Sequence, residues 1–374
     1  MQLSCRGTTL LFDLQPKQER SSLFGRDLEV DRLKQMVAVK TVIDVMTGAK
    51  RVGKTSVLLT ALNELLWPSM VLDCRKLDDE GYSKSVLFKY LARELWKNVS
   101  KWRQLGDYLK NIKGVTILGN GIELGWGKDS PSLTDILDRL NEWVSKERVG
   151  EKFVIALDEA QLLRFLCGGI GKIDFRMVLA YSYDHLSNIK FVLTGSEVGL
   201  LEDFLHPSVG DDPLSGRSIE YFSIKRFDAK TSKAFLEAGL QECEKNVSIK
   251  NVSSAVKIFD GLVGWLVIYG AKLVSGAPNP VRTTLDDAKD MARKELSKLF
   301  TFSEHYRYIL HGIAEGKNEF EQIRLYVGFK LNRNYNQGSL QNSLERLQKL
   351  SIIVRKKGRF WFEDPITKAA VLDL

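Results

Sequence analysis

The sequence predicts an α/β protein in which a parallel sheet is covered by helices on both faces. Apolar, β-branched segments at 41–47, 70–75, 153–157, 189–194 and 219–224 alternate with helical stretches, and this alternation is typical of parallel sheets. A glycine-rich turn directly follows the first segment, and two acidic residues end the third. Because ligands of such sheets bind beyond the carboxyl ends of the strands, both features indicate a binding site at one edge.

The first strand leads into GAKRVGKTS at 48–56, which has the spacing G-x-x-x-x-G-K-T. Apolar residues at helical spacing follow it, so the order is strand, turn and helix. Such a turn points backbone N–H groups at phosphates, and the start of the helix adds a partial positive charge. A chance match is the alternative, which both flanks disfavour. We predict that Lys54 contacts the β- and γ-phosphates and that the Thr55 hydroxyl ligates Mg²⁺. The predicted nucleotide-binding residues are Gly48, Ala49, Lys50, Arg51, Val52, Gly53, Lys54, Thr55 and Ser56.

The third strand, at 153–157, ends in Asp158 and Glu159. We predict that Asp158 holds Mg²⁺ through its water shell and that Glu159 polarises the attacking water as a general base. An acidic helix cap would explain the same pair without any chemistry. The glycine-rich turn upstream favours the catalytic interpretation over the cap.

Two polar features lie near the remaining strands. Thr194 and Ser196 end the strand at 189–194, and a hydroxyl there could contact the γ-phosphate or the attacking water. Either hydroxyl could also cap the helix that follows. Arg217 precedes the strand at 219–224, and we predict that it stabilises transition-state charge on a neighbouring subunit's nucleotide or on its own. A solvated arginine, or one paired with a carboxylate, is the alternative.

The chain divides into three predicted domains, at 1–227, 228–300 and 301–374. The first holds the sheet, with a β-hairpin insert near 112–127. The second reads as helices only, which suits a lid over the nucleotide. The third has two helices, a third helix with an apolar face, and two short strands around Lys357 and Gly358, the layout of a winged helix-turn-helix. That apolar face consists of Leu340, Leu344, Leu347 and Leu350.

The opposite face of that third helix is polar and could contact duplex DNA. It offers Gln341, Asn342, Arg346 and Lys349, and the wing cations are Arg355, Lys356, Lys357 and Arg359. These side chains suit contacts with bases and phosphates. Glu345 lies on the same face, and the segment 303–374 carries 12 Lys and Arg against 8 Asp and Glu, so its positive excess is mild. A protein-packing domain is therefore the alternative.

Composition bounds the class of protein. The net charge of +8 is compatible with nucleic acid without requiring it. The four cysteines lie far apart with no C-x-x-C, which disfavours a zinc site or a disulfide framework and favours a cytoplasmic protein. The apolar stretch at 261–274 is broken by glycines and is too short to span a bilayer, so we expect no membrane association.

These elements together resemble an AAA+ or STAND-type P-loop ATPase, and more closely the archaeal-type ATPases. GAKRVGKTS resembles the Walker A motif of that family, ALDEAQLL its Walker B motif, LTGSEVGLL its sensor-1 strand, and LSGR the segment that carries its arginine finger. LFGRDLEVDRL at 23–33 resembles its N-terminal box, which implies that Gly25 and Arg26 line the adenine side. The resemblance also implies ATP or ADP with Mg²⁺ and the strand order 5-1-4-3-2. One departure is Trp265, in a stretch where the family often has a G-x-P motif or a lid arginine.

The leading hypothesis for function is an ATPase that acts as a nucleotide-dependent switch. A DNA-binding regulator, in which the nucleotide is only a structural ligand, is the alternative from another class. A P-loop kinase is disfavoured, because the adjacent Asp and Glu suit water activation. The candidate partners are duplex DNA, a protein client and a second copy of the chain.

Overall fold

Residues 11–118, 121–125, 131–167, 173–207, 210, 212–244 and 249–374 are described by the computed structural model. The strands are β1 (Ile43–Thr47), β2 (Ser69–Asp73), β3 (Val115–Leu118), β4 (Gly121–Leu124), β5 (Phe153–Asp158), β6 (Ile189–Gly195), β7 (Ile219–Ser223), β8 (Ile353–Lys356) and β9 (Arg359–Phe362). Five of them form a parallel sheet in the order β2-β5-β6-β1-β7. When the hairpin strands β3 and β4 are skipped in the numbering, this order read from β7 is 5-1-4-3-2. The α/β fold class with a parallel sheet is confirmed.

Helices cover both faces of the sheet, since its central strands are buried on both sides. Ile155 and Leu157 of β5 belong to one apolar cluster, while Val154 and Ala156 belong to the other. This alternation follows from the period of two in a strand. The helices of this part are α1 (Asp27–Ala38), α2 (Lys54–Leu65), α3 (Lys76–Glu80), α4 (Lys84–Lys101), α5 (Arg103–Leu109), α6 (Leu133–Glu147), α7 (Phe175–His185) and α8 (Val198–Leu205).

The predicted hairpin insert consists of β3 and β4, which pair in antiparallel register. Val115, Ile122 and Leu124 bury their side chains in the cluster that lies under α4 and α6. The turn residues 119–120 and the predicted hairpin end at 126–127 lie outside the described residues.

The helices predicted as a lid are α9 (Ala229–Glu242), α10 (Ile249–Phe259), α11 (Val263–Val274) and α12 (Pro280–Phe302). Helix α11 begins beside the glycine-rich loop, where the N–H of Gly264 donates to the carbonyl oxygen of Arg51 at 2.9 Å. Just before α11, Gly261 lets the chain pass close to the segment after β7, because a Cβ there would lie 1.9 Å from the carbonyl oxygen of Phe227. No helix in the described part of the chain is long and apolar enough to cross a membrane.

The carboxyl-terminal segment contains α13 (Glu304–Ala314), α14 (Phe320–Lys330), α15 (Gln337–Lys349) and α16 (Pro365–Leu372), with the β8–β9 hairpin before α16. Leu340, Leu344 and Leu347 of α15 are buried in its own apolar cluster. The hairpin turns at Lys357 and Gly358, both with positive φ, which is the backbone of a tight two-residue turn. The order of elements up to β9 is the one predicted, α16 was not predicted, and the designation as a winged helix remains a prediction.

The end of α15 is docked against α8. The N–H of Val198 donates to Oγ of Ser351 at 3.1 Å, and Nζ of Lys349 lies 2.7 Å from Oδ2 of Asp203. A Cβ at Gly199 would lie 2.6 Å from Cα of Lys349, so the two helices touch through backbone. Lys349, predicted to face DNA, therefore contacts the core here.

A fully buried ion pair joins β1 to β6 at their amino ends. Nζ of Lys190 lies 2.8 Å from Oδ1 of Asp44, and neither side chain is exposed. The same ammonium donates to the carbonyl oxygens of Met36 and Thr41. Burial raises the pKa of Asp44 to about 6, against the opposing pull of Lys190.

Candidate active site

The glycine-rich loop joins β1 to α2 at the carboxyl edge of the sheet. Gly48 must be a glycine, because a Cβ there would lie 2.6 Å from the carbonyl oxygen of Ile224. Gly53 has a φ of 96° and directly precedes α2, so the helix starts at Lys54. Oγ of Ser56 accepts a hydrogen bond from the N–H of Lys17 at 3.1 Å, which joins the start of α2 to the segment before α1.

Lys54 closes the loop on itself. Its side chain is only 5% exposed, and Nζ donates to the carbonyl oxygens of Gly48 at 2.9 Å and Ala49 at 3.0 Å. Burial lowers the pKa of Lys54, and the charges of Asp158 and Glu159 oppose that effect. The ammonium thus lies inside the loop, where a phosphate bound by the backbone N–H groups would meet it.

The other two cations of the loop face the lid helices. Nζ of Lys50 lies 3.1 Å from Oε2 of Glu295 on α12. The guanidinium of Arg51 lies 4.2 Å above the ring of Trp265. Trp265, which replaces the lid motif expected from the resemblance, therefore contacts the loop directly.

The two predicted Mg²⁺ ligands contact each other. Oγ1 of Thr55 donates to Oδ2 of Asp158 at 2.9 Å, and Asp158 is almost fully buried. Burial raises the pKa of Asp158, while hydrogen bonds from Thr194 and Thr55 oppose that rise. A hydroxyl and a carboxylate oxygen side by side are the hard ligands that suit Mg²⁺, so these residues fit the ion.

Thr194 is bonded to the acidic pair. Its hydroxyl donates to Oδ1 of Asp158 and accepts from the N–H of Glu159 at 3.3 Å. The side chain is fully buried, so it orients the carboxylate of Asp158. Its contact with a phosphate or the attacking water stays a prediction.

Glu159 is held by three donors on one oxygen. Oε2 accepts from Nε2 of Gln161 at 2.7 Å, and from the N–H and hydroxyl of Ser196 at 3.1 and 2.8 Å. Burial would raise the pKa of Glu159, but the Lys54 charge and these hydrogen bonds outweigh it, so the net pKa is lowered. Its φ of 54° is a left-handed conformation that a non-glycine residue adopts at a cost of about 1–3 kcal/mol.

Ser196 therefore does not cap α8. The residue at the N-cap is Glu197, whose side chain makes no capping hydrogen bond. The sequence reasoning missed that Gln161 and Ser196 orient Glu159. A polar residue two positions after the acidic pair was the available signal for Gln161.

Arg26 has a structural role that the family resemblance did not suggest. Its Nη2 donates to the carbonyl oxygens of Val52 and Lys225, and its Nη1 contacts Glu29. The guanidinium lies 4.4 Å above the ring of Phe227 and is buried. Arg26 thus joins α1, the loop and the end of β7, and its expected place at the adenine side stays a prediction.

Gly25 provides the turn before Arg26. It has a φ of 62°, in the left-handed region that favours glycine. The methyl group of Thr231 would lie 3.3 Å from a Cβ at this position. Its expected place at the adenine side stays a prediction.

Arg217 lies at the opposite end of the sheet from the loop. It pairs with Asp184 and donates to the carbonyl oxygen of Pro213. Strand β7 begins two residues later and runs parallel to β1, whose carboxyl end enters the loop. Strand β7, from Ile219 to Ser223, is about 13 Å long at about 3.3 Å per residue, so Arg217 lies at least that far from the loop. A contact with the chain's own nucleotide is therefore wrong, and only the role on a neighbouring subunit stays a prediction.

Two cavities flank the loop, with volumes of about 500 and 470 Å³. Ala49, Ser196, Ser351 and Glu363 line both, so the carboxyl-terminal segment reaches the loop. Arg226 lines the cavity of about 500 Å³ as well. The sequence reasoning did not identify these contributions, because the residues lie in unrelated parts of the chain.

Comparison with solved structures identifies the family. The Walker-type ATPase PABY2304 of Pyrococcus abyssi is 34% identical, covers 97% of this chain and 99% of its own, and superposes with a TM-score of 0.82. The chain belongs to the Walker-type ATPases. This Walker-type ATPase therefore has a P-loop ATPase fold, the fold of nucleotide-binding ATPases.

More distant likenesses add nothing to this assignment. RuvB of Thermotoga maritima is 11% identical and covers 94% of this Walker-type ATPase and 96% of its own chain, with a TM-score of 0.41. A Signal Transduction ATPase with Numerous Domains from Pyrococcus horikoshii, which has a tetratricopeptide repeat sensor, is 15% identical. The match covers 95% of this chain and 43% of that protein, with a TM-score of 0.39. No protein-family model matches the sequence. No curated protein matches it either.

Proposed function

We propose that the protein binds ATP with Mg²⁺ and hydrolyses it. The observation that carries this proposal is the array at the carboxyl edge of β5 and β6: Thr55 bonded to Asp158, with Glu159 beside Lys54. Thr55 and Asp158 would hold the ion, which supplies neutralisation of phosphate charge when bound. The backbone N–H groups of residues 48–56 and the ammonium of Lys54 would hold the phosphates.

Glu159 would take the proton of the attacking water. Three donors converge on Oε2, and Oε1 accepts none of the hydrogen bonds found among the described residues. One oxygen therefore fixes the carboxylate while the other is available to a water. The Lys54 charge and the hydrogen bonds lower the pKa of Glu159, so its carboxylate is ionised, as a base requires.

A switch role is the finer part of the proposal. The lid touches the loop through Gly264 and Trp265, and Ser351 and Glu363 of the carboxyl-terminal segment line a cavity together with Gly48 and Ala49 of the loop. A change at the phosphates would therefore act on both segments. In this view the sheet binds the nucleotide and the lid helices and the carboxyl-terminal segment respond; the division at 227 and 300 stays a prediction, and α12 runs across position 300.

Duplex DNA binding by the carboxyl-terminal segment is the second candidate. All four wing cations are exposed, as are Gln341, Asn342 and Arg346 of α15. An exposed basic turn and a polar helix face can lie along a groove. However, Gln341 is bonded to Glu345 at 2.6 Å, and the pairing of Lys349 with Asp203 occupies part of the face.

The test is phosphate release from ATP in the presence of Mg²⁺, with and without duplex DNA. Glu159→Gln keeps the shape of the side chain and should lower the rate by about 10²–10⁴-fold while ATP binding persists. Glu151→Gln is the matched control, because that carboxylate pairs with Arg148 just before β5, at the opposite end of the sheet. Wild-type rates in Glu159→Gln would place the base elsewhere, and absence of ATP binding by the wild type would overturn the proposal.

A further inference from the structure

Arg226 connects three parts of the chain at the mouth of the glycine-rich loop. It follows β7 and lines the cavity of about 500 Å³ together with Gly48 and Ala49. Its Nη1 contacts Oδ2 of Asp260, between α10 and α11. Its Nη2 donates to the carbonyl oxygen of Glu363 and lies 3.2 Å from Oε1 of the same residue. One guanidinium therefore bridges the sheet, the lid helices and the carboxyl-terminal segment.

The carboxylate partners of Arg226 are weakly held. The side chain of Asp260 is 59% exposed and that of Glu363 is 33% exposed. Ion pairs with that much solvent contribute little to stability, because water screens both charges. Arg226 can thus exchange these partners at low cost.

Glu363 carries a negative charge in a place suited to an anion. It lines both cavities beside Ala49 of the loop. A carboxylate there repels phosphate, whereas a planar guanidinium is a good bidentate phosphate ligand. The cavity therefore holds a cation that favours a triphosphate and, bound to that cation, an anion that opposes it.

We infer that Arg226 is a further ligand of the nucleotide phosphates, and that Glu363 occupies it until a phosphate takes its place. The inference rests on the proposed ATP binding. It assigns a phosphate contact to the segment after β7, outside the glycine-rich loop and outside the lid. It also makes Glu363 an internal competitor of the nucleotide.

The experiment is calorimetric titration of the full chain with ATP and Mg²⁺. Arg226→Ala should weaken binding about tenfold, because a charge-assisted contact with phosphate is lost. Glu363→Gln should tighten binding about two- to fivefold, because a partly exposed ion pair no longer competes. Arg148→Ala and Glu151→Gln remove a pair of the same residue types far from the loop and should leave the affinity unchanged.

The decisive result is that ATP affinity falls in Arg226→Ala and rises in Glu363→Gln. If the bridge only supports the fold, both substitutions break it and both should weaken binding, which would overturn the inference. Unchanged affinity in both variants would overturn it too. Arg226→Lys keeps the positive charge but not the bidentate guanidinium, so it should lose less ATP affinity than Arg226→Ala. Thermal unfolding of each variant shows that the chain is folded. A wild type that binds no ATP would instead refute the proposed function.

Discussion

Replacing Lys54 with alanine should weaken ATP binding about tenfold. A hydrogen bond between an ammonium and a phosphate contributes about 1.5–3 kcal/mol. In the structure Nζ already donates to the carbonyl oxygens of Gly48 and Ala49, so binding exchanges acceptors instead of adding them. The net loss therefore falls at the lower end, about 1.5 kcal/mol, which corresponds to about tenfold in affinity.

The same substitution should loosen the loop before any ligand binds, since it removes both bonds that close it. Lys54→Met keeps the aliphatic stem and separates the loss of charge from the loss of volume. Calorimetric titration with ATP measures the affinity, and hydrogen exchange at residues 48–53 measures the opening of the loop. Lys50→Ala is the control within the loop: its pair with Glu295 is half exposed on both sides, so the loss should stay below about fivefold. Equal ATP affinity in wild type and Lys54→Ala would refute this reasoning.

Three other predictions concern distant parts of the molecule. Arg217→Ala should lower turnover with little change in ATP affinity, and mixing it with the Lys54→Ala variant should restore activity if the arginine acts between subunits; a fully active variant that stays monomeric refutes both. Replacing the four wing cations with alanine should weaken duplex DNA binding across unrelated sequences and flatten its salt dependence, whereas Arg346→Ala should change sequence preference; no wild-type binding at low salt would mark a packing domain. Burial raises the pKa of Asp44 to about 6, so this carboxyl binds its proton more tightly in the folded than in the unfolded chain. The free energy of unfolding of the wild type should therefore fall relative to that of Asp44→Asn as pH rises from 4 to 7, by about 2 kcal/mol, as urea titrations would show. A rise in the free energy of unfolding of the wild type relative to Asp44→Asn would mean that the ion pair with Lys190 dominates.

The sheet could be predicted because each of its strands is a short apolar run bounded by turn residues. Fully buried parallel strands have nearly continuous hydrophobic sequences, and β1, β5 and β6 show this plainly. The loop and the acidic pair were equally visible, since their chemistry depends on residues that are close in sequence. Observed boundaries differ from the expected ones by one or two residues, as with β1, which starts at Ile43.

Contacts between distant segments could not be predicted in this way. Thr194 was expected near a phosphate but bonds to Asp158, because adjacent strands bring the two side chains together at the sheet edge. The bridge from Arg226 to Glu363 joins residues 137 positions apart. No periodicity or spacing encodes such a contact, which depends on how the carboxyl-terminal segment docks.

The docking of α15 against α8 imposes a linkage on whatever binds that helix. Lys349 contacts Asp203 and the backbone at Gly199, so a ligand that covers the end of α15 must first separate the two helices. Its apparent dissociation constant equals the intrinsic value divided by the undocked fraction. A docked state favoured by about 100 to 1 would weaken apparent affinity about a hundredfold. Reciprocally, that ligand would hold Ser351 away from Val198 and open the cavity beside the loop. Any factor by which it changes the affinity for nucleotide is then the factor by which nucleotide changes the affinity for that ligand.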